Sequence, residues 1–278
     1  MTRAVLYVLA GVNGAGKSSI GGHLLERDGL TWFNPDTFAR ELRAATGCDQ
    51  QTANAHAWHE SMRRLEEAIA KGLNHAFETT LGGKSVAAKI LEATKTHDLL
   101  IWFCGLSSPD LHIARVKARV AAGGHPIPEE KIRERYPQAQ LNLIKLMPRA
   151  AYIKVYDNSA EVAADGTVPD PLLVLEMENG QVISPAPHDL KALQRAPEWT
   201  KPILEAALRA GTDPQWLSAP GEIRTPDHSV RSRVLYPAEL RAQARSVTSA
   251  GPFGNPSADF LRQVPPRGTR RSPKMPVK

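Results

Sequence analysis

Ala4-Val-Leu-Tyr-Val-Leu-Ala10, running straight into Gly11-Val-Asn-Gly-Ala-Gly-Lys-Ser18, is the stretch on which the reading of this chain turns. A continuous apolar run that ends at glycine describes a strand covered on both faces, as in the middle of a parallel sheet. The residues after it match G-x-x-x-x-G-K-[ST] without a gap. The glycines let successive backbone N–H groups turn toward one anion, and the start of the next helix adds positive potential. Lys17 can reach the β- and γ-phosphates of a nucleotide, and Ser18 can ligate Mg²⁺. Gly11, Asn13, Gly14, Ala15, Gly16, Lys17, Ser18 and Ser19 are therefore the expected nucleotide contacts, with ATP and Mg²⁺ as cofactors. No Asn-Lys-x-Asp run is present to specify guanine, so ATP is favoured over GTP.

Outward from this loop, helices and apolar strands alternate. A helix is expected to start near Lys17, and Leu30 to Phe33 reads as a strand stopped by Asn34-Pro35-Asp36, where Asp36 can cap the next helix. Ala57, Met62, Leu65 and Ile69 lie at helical spacing within a long helix over 51–71 that ends at Gly72. Asn74 to Glu78 reads as a strand, Lys84 to Thr96 as a helix, and Asp98 to Gly105 as the most apolar strand. Helices over 109–122 and 129–146 carry Arg115, Lys117, Arg119, Arg133 and Arg135, and a Gly-Gly-His-Pro-Ile-Pro hinge over 123–128 separates them. Ala151 to Tyr156 is expected to be the last core strand, and 172–183 a hairpin turning at Glu178-Asn179-Gly180. The pattern predicts an α/β P-loop NTPase fold: a parallel, doubly wound sheet flanked by helices, with a basic helical lid.

The bulk properties fit one domain with an appendage. The 278 residues carry a net charge of +6, but residues 219–278 hold 11 Lys and Arg against 4 Asp and Glu, which leaves 24 against 25 in the body. A near-neutral body makes nucleic acid an unlikely partner for it. Beyond about Pro220, Pro, Arg, Ser and Gly dominate, a composition expected to stay disordered. The division is thus a kinase-like domain over 1–218 and a basic tail over 219–278. The string Gly221 to Ala242 also resembles the conceptual translation of a transfer-RNA gene. Cys48 and Cys104 have no disulfide or zinc spacing, and no apolar run reaches the ~18–20 residues that span a bilayer. The expectation is a soluble, cytoplasmic protein without a membrane partner.

The motif leaves the reaction open, because ATPases, GTPases and small-molecule kinases share it. Asp98 begins its strand, so the aspartate expected at the end of a strand to hold a metal is missing, and Glu78 is the best substitute. Asp36 would lie at the same sheet edge as the loop, since ligands sit beyond the carboxyl ends of parallel strands. On its own Asn-Pro-Asp is no more than a helix cap; beside a phosphate loop, the Asp36 carboxylate can take the proton of an attacking hydroxyl. Arginines on a hinged segment could close over the transferring phosphate.

Gly11 to Ser19, Asn34-Pro35-Asp36-Thr37-Phe38, Glu78-Thr79-Thr80 and Gly124-His125-x-Ile127-Pro128 before a basic helix together resemble the zeta-toxin family of P-loop kinases, over roughly residues 1–160. The resemblance implies ATP-dependent phosphorylation of a hydroxyl on UDP-N-acetylglucosamine and a separately encoded antitoxin partner. It further implies Lys17 and Ser18 on ATP and Mg²⁺, Asp36 as base, and Glu78, Thr80 and Glu67 facing the acceptor. Of the two lid arginines found in the family, Arg119 would be the first and Arg133 or Arg135 the second, with His125 standing where an arginine is expected. Two other readings compete: a P-loop kinase for another hydroxyl, such as a polynucleotide end, and a non-catalytic ATP-binding module that acts through partners.

Overall fold

The computed structural model describes residues 3–18, 32–161 and 168–212. The helix expected from Lys17, the position of Ser19 and the tail over 219–278 lie wholly or largely outside these residues. Strand β1 (Ala4–Ala10) is buried after its first residue. It lies between β2 (His75–Thr79) and β3 (His97–Gly105), parallel to both. β4 (Ala150–Asp157) adds to β3 in parallel, and the hairpin of β5 (Leu172–Glu178) and β6 (Gln181–Ser184) adds antiparallel, giving the order β2-β1-β3-β4-β5-β6. The sheet is thus parallel at its centre, and the predicted hairpin extends its far edge. β4 is consequently not the last core strand, because Val174, Leu175 and Met177 of β5 are also buried.

Alternate β1 residues face opposite sides, as the two-residue strand period requires. Leu6, Val8 and Ala10 join the main core, while Val5, Tyr7 and Leu9 join a second cluster with Leu100, Trp102 and Tyr152. Having apolar side chains on both faces is what made the run continuous in sequence.

The helices are bounded by local chemistry. α1 (Pro35–Thr46) begins at Asn34, whose side chain accepts from the N–H groups of Asp36 and Thr37, and ends at Gly47. Asn34, not Asp36, is therefore the cap. Its amide oxygen reaches those N–H groups first, and Asp36 is left as the second residue of the helix with its carboxylate uncommitted to capping. α2 (Gln50–Lys71) is capped by Asp49 and closed by Gly72. α3 (Lys84–Ala93) leads to β3, while α4 (Pro109–Ala121) and α5 (Glu129–Leu146) flank the Gly-Pro hinge. α6 (Leu190–Arg195) and α7 (Lys201–Thr212) follow the hairpin. The hairpin turns on Asn179 and Gly180, both at positive φ, as a two-residue turn of matching twist requires. Of the strand expected over Leu30 to Phe33, residues 30 and 31 lie outside the described residues, and Phe33 forms a single bridge to Phe77. Asn34 turns into its cap and Pro35 has no N–H to extend a ladder.

The chain leaves β1 toward β2 and leaves β3 toward β4, so the direction of winding reverses between β1 and β3. The crevice beyond the carboxyl ends of strands at such a switch point is where α/β sheets bind ligands. Residues 11–18, 80–83, 106–108 and 158–161 all emerge along that edge.

Candidate functional site

The phosphate loop is held in place by close backbone packing. Gly11 has φ of 141°, its N–H donates to the Thr79 carbonyl at 3.2 Å, and a Cβ there would lie 2.1 Å from the Cys104 carbonyl oxygen. Gly11→Ala is therefore expected to cost at least ~1–3 kcal/mol of stability, measurable as a lower urea midpoint. An unchanged midpoint would mean that the loop does not pass this close to β3. Gly14, at φ of 85°, lies under α4, with room for no Cβ against the His112 carbonyl oxygen 2.8 Å away.

His112, 1% exposed, donates from Nδ1 to the Asn13 carbonyl at 2.9 Å. Burial pushes its pKa down to about 4, and the Asn13 contact only partly opposes this. The ring is neutral in the folded protein but takes a proton near 6.5 once unfolded, so protonation favours unfolding. Stability is full above pH 6.5 and is lost as pH falls toward 4, by up to ~3 kcal/mol for this residue. Urea midpoints measured from pH 7 to pH 4.5 should fall, and His112→Asn should flatten part of that slope. His75, stacked on Phe77, is displaced in the same direction for the same reason and accounts for a further part. A midpoint flat with pH would contradict both assignments.

Lys17 and Glu78, 6% and 8% exposed, form the centre of the site. Lys17 Nζ lies 3.4 Å from Glu78 Oε1 and donates to the Val12 carbonyl at 3.4 Å. Glu78 Oε2 accepts from Ser18 Oγ and from Asn34 Nδ2, each at 3.0 Å. The loop, β2 and the start of α1 thus meet at one carboxylate. Ser18 and Glu78 supply hard oxygen donors of the kind Mg²⁺ prefers. Among the described residues no group of three or more His, Cys, Asp and Glu side chains is placed to hold a metal. An ion at Ser18 and Glu78 would therefore draw its remaining ligands from phosphate and water, which suits Mg²⁺.

Asp36, its side chain 46% exposed, faces His125 of the hinge at 3.9 Å. Burial holds the His125 ring below its ordinary range, while Asp36 draws it back up. Arg119 packs against this hinge: a Cβ on Gly124 would lie 2.9 Å from Arg119 Cγ, and Arg119 Nε and Nη2 are buried without a hydrogen-bond partner among the described residues. Arg135 Nη1 donates to Asn13 Oδ1 at 2.8 Å, whereas Arg133 Nη2 donates to Asp110 at 2.6 Å on the exposed side of the same helix. Of the two candidates for a second arginine, Arg135 is the one brought to the loop.

Thr80 lies at the head of the loop after β2, its Oγ1 accepting from the Gly82 N–H at 3.4 Å. Buried Asn142 of α5 holds this loop by donating to the Leu81 carbonyl at 2.8 Å. Glu67 is not brought to the site. It pairs with Arg63 at 3.0 Å and Lys71 at 2.6 Å near the end of α2 that leads into the start of β2, whereas the loop lies beyond the strand's other end. The roles of His112 and Asn142 had no signal in the sequence, which also marked Asn13 only as a nucleotide contact and Asn34 only as part of the turn before α1. Asn158, just past β4, also supports the loop, donating to the Ala15 carbonyl at 2.9 Å.

Residues 6–139 match the AAA domain family. An uncharacterized protein of Haemophilus influenzae is 25% identical over 135 residues, which are 48% of this chain and 92% of the relative. Among solved structures, AvrRxo1-ORF1:-ORF2 with ATP superimposes with a TM-score of 0.51 at 16% identity, covering 88% of this chain and 75% of that one. A structure from work on the PezAT chromosomal toxin-antitoxin system of Streptococcus pneumoniae reaches a TM-score of 0.42 at 16% identity, covering 61% of this chain and 72% of that one. No helix among the described residues is long and apolar enough to cross a membrane. The strand-loop junction at Gly11, the winding reversal beside it and the family match together give this chain the P-loop nucleotide-binding α/β fold.

Proposed function

We propose that the protein is an ATP-dependent kinase that transfers the γ-phosphate to a hydroxyl of a small molecule, with UDP-N-acetylglucosamine the leading acceptor. The observation that carries this reading is Asp36. Asn34 does the capping, and the Asp36 carboxylate is left half exposed beside the hinge, two residues from a side chain that touches Glu78. A nucleotide switch has no use for a carboxylate there, whereas a kinase needs one to orient its acceptor. The choice of sugar nucleotide rests on the motif series shared with zeta toxins, and so does a separately encoded antitoxin as partner.

Loop N–H groups and Lys17 would hold the β- and γ-phosphates, with Lys17 turning from Glu78 toward them. Ser18 and Glu78 would hold Mg²⁺, which when bound neutralises charge on the phosphate oxygens. Asp36 accepts the acceptor's hydroxyl proton as that oxygen bonds to the γ-phosphorus and the bond to the β-phosphate oxygen breaks, releasing ADP. Arg119 and Arg135 stabilise charge on the transferring group, and Thr80 lines the acceptor side.

The test is transfer from γ-labelled ATP with Mg²⁺ to a panel of sugar nucleotides and 5′-hydroxyl oligonucleotides. A phosphorylated UDP-N-acetylglucosamine supports the full reading. Labelled oligonucleotide alone replaces the acceptor, and ATP binding without transfer to any hydroxyl removes the kinase.

A further inference from the structure

Both helices that flank the hinge grip the same residue of the phosphate loop. From α4, His112 Nδ1 donates to the Asn13 main-chain carbonyl at 2.9 Å, and from α5, Arg135 Nη1 donates to the Asn13 side-chain oxygen at 2.8 Å. Asn13 is 6% exposed, so these bonds form away from competing water. Because C=O and N–H point in opposite directions across a trans peptide, drawing the Asn13 carbonyl toward His112 turns the Gly14 N–H to the other side of the loop. On its far side Arg135 is clamped by Gly82, where a Cβ would lie 2.6 Å from Arg135 Cγ and 2.9 Å from Arg135 Cβ.

The kind of partner matters as much as the distance. Four arginines of the described residues are paired with carboxylates at close range, Arg133 with Asp110, Arg63 with Glu60 and Glu67, Arg64 with Glu60 and Arg3 with Asp98, while Arg43 and Arg115 donate to neutral oxygens at exposed positions. Arg135 donates to a neutral amide oxygen of the loop itself, which fixes the fork without cancelling its charge. Glu134 and Asp36 act on it only through space.

We infer that Asn13 is a positioning residue: it holds the Arg135 guanidinium, charge uncompensated, at the rim of the phosphate loop, so that the loop and the segment after the hinge bind the nucleotide's terminal phosphate as one unit. This rests on the kinase reading for its effect on transfer, but not for its effect on nucleotide binding. A closed loop-to-arginine contact also spares the protein the cost of ordering a long side chain when the anion arrives.

The test is a double-mutant cycle of Asn13→Ala and Arg135→Ala in the full chain, read both as ATP affinity by calorimetry and as the rate of phosphate transfer. Asn13→Ala is expected to weaken ATP binding by about 10-fold and to slow transfer by ~10- to 100-fold, the scale of misplacing one catalytic contact. Added to Arg135→Ala it should cost nothing more, since its effect runs through that residue. Asn13→Asp separates positioning from mere support. It keeps the acceptor atom for the Arg135 fork, with folding checked by a urea midpoint, yet it neutralises Arg135 and should also weaken ATP binding. Additive losses in the ATP-affinity cycle, or an Asn13→Asp protein with wild-type ATP affinity, would overturn the inference. Because ATP affinity is measured without an acceptor, the cycle decides this point even if no hydroxyl is phosphorylated, an outcome that would count against the kinase reading alone.

Discussion

Asp36→Asn is expected to slow phosphate transfer by about 10²- to 10⁴-fold while leaving ATP affinity within a few-fold of wild type. Asparagine keeps the size and hydrogen-bonding reach of the side chain but cannot accept a proton from the attacking hydroxyl. The fold should not notice the change, because the cap of α1 is Asn34 and the Asp36 side chain stands half exposed. Its close ionic neighbour is His125 at 3.9 Å, whose ring burial keeps below the ordinary range, so little stabilising charge pairing is lost near neutral pH. Single-turnover transfer with saturating ATP, alongside calorimetric ATP binding, separates the two effects. A variant that still transfers at a tenth of the wild-type rate or better would remove Asp36 as the base.

Replacing Glu78 by alanine should act on the fold and the site at once. Its carboxylate serves three side chains: Lys17 at 3.4 Å, Ser18 at 3.0 Å and Asn34 at 3.0 Å. Removing it strands the Lys17 ammonium at 6% exposure beside the Val12 carbonyl. Breaking one side of a buried ion pair costs ~3–5 kcal/mol, and a drop of that size in unfolding free energy is expected from urea titration. Glu78→Gln retains an acceptor for Ser18 and Asn34 and should recover part of the stability. It should still weaken the Mg²⁺ dependence of ATP binding, because the amide oxygen lacks the negative charge with which a carboxylate steers Mg²⁺ or its waters. An alanine variant within 1 kcal/mol of wild type would show that the three contacts are not held together in solution.

Much of the fold was legible because its signals are local. The buried run of β1, the loop glycines, the cap-to-glycine span of α2 and the Asn179-Gly180 turn each depend on residues within a few positions of one another. Elsewhere local reading chose wrongly between near neighbours. Asn34 and Asp36 are both capping residues, and only the position of α1 decided for Asn34. Leu30 to Phe33 has the composition of a strand; residues 30 and 31 lie outside the described residues, and Phe33 pairs with Phe77 before Asn34 and Pro35 end the ladder.

The site was legible in its parts but not in its assembly. Arg133 and Arg135 are two residues apart on one helix and so point in very different directions. The packing of α5 sends one to Asp110 in solvent and the other to Asn13, 122 positions away in sequence. Glu67 lies on a helix that does pack beside the site's strand, but α2 runs back along the sheet and carries it to the opposite end.

By itself the sequence determined a P-loop, a central strand buried on both faces and a basic hinged segment, because these are patterns of residue type over short spans of chain. Tertiary structure alone decided that Glu78 joins Lys17, Ser18 and Asn34, that Arg135 and His112 meet at Asn13, and that Glu67 is excluded. Those contacts join residues tens of positions apart, and their partners are selected by the crossing of whole helices over the sheet, a geometry no short stretch of sequence encodes.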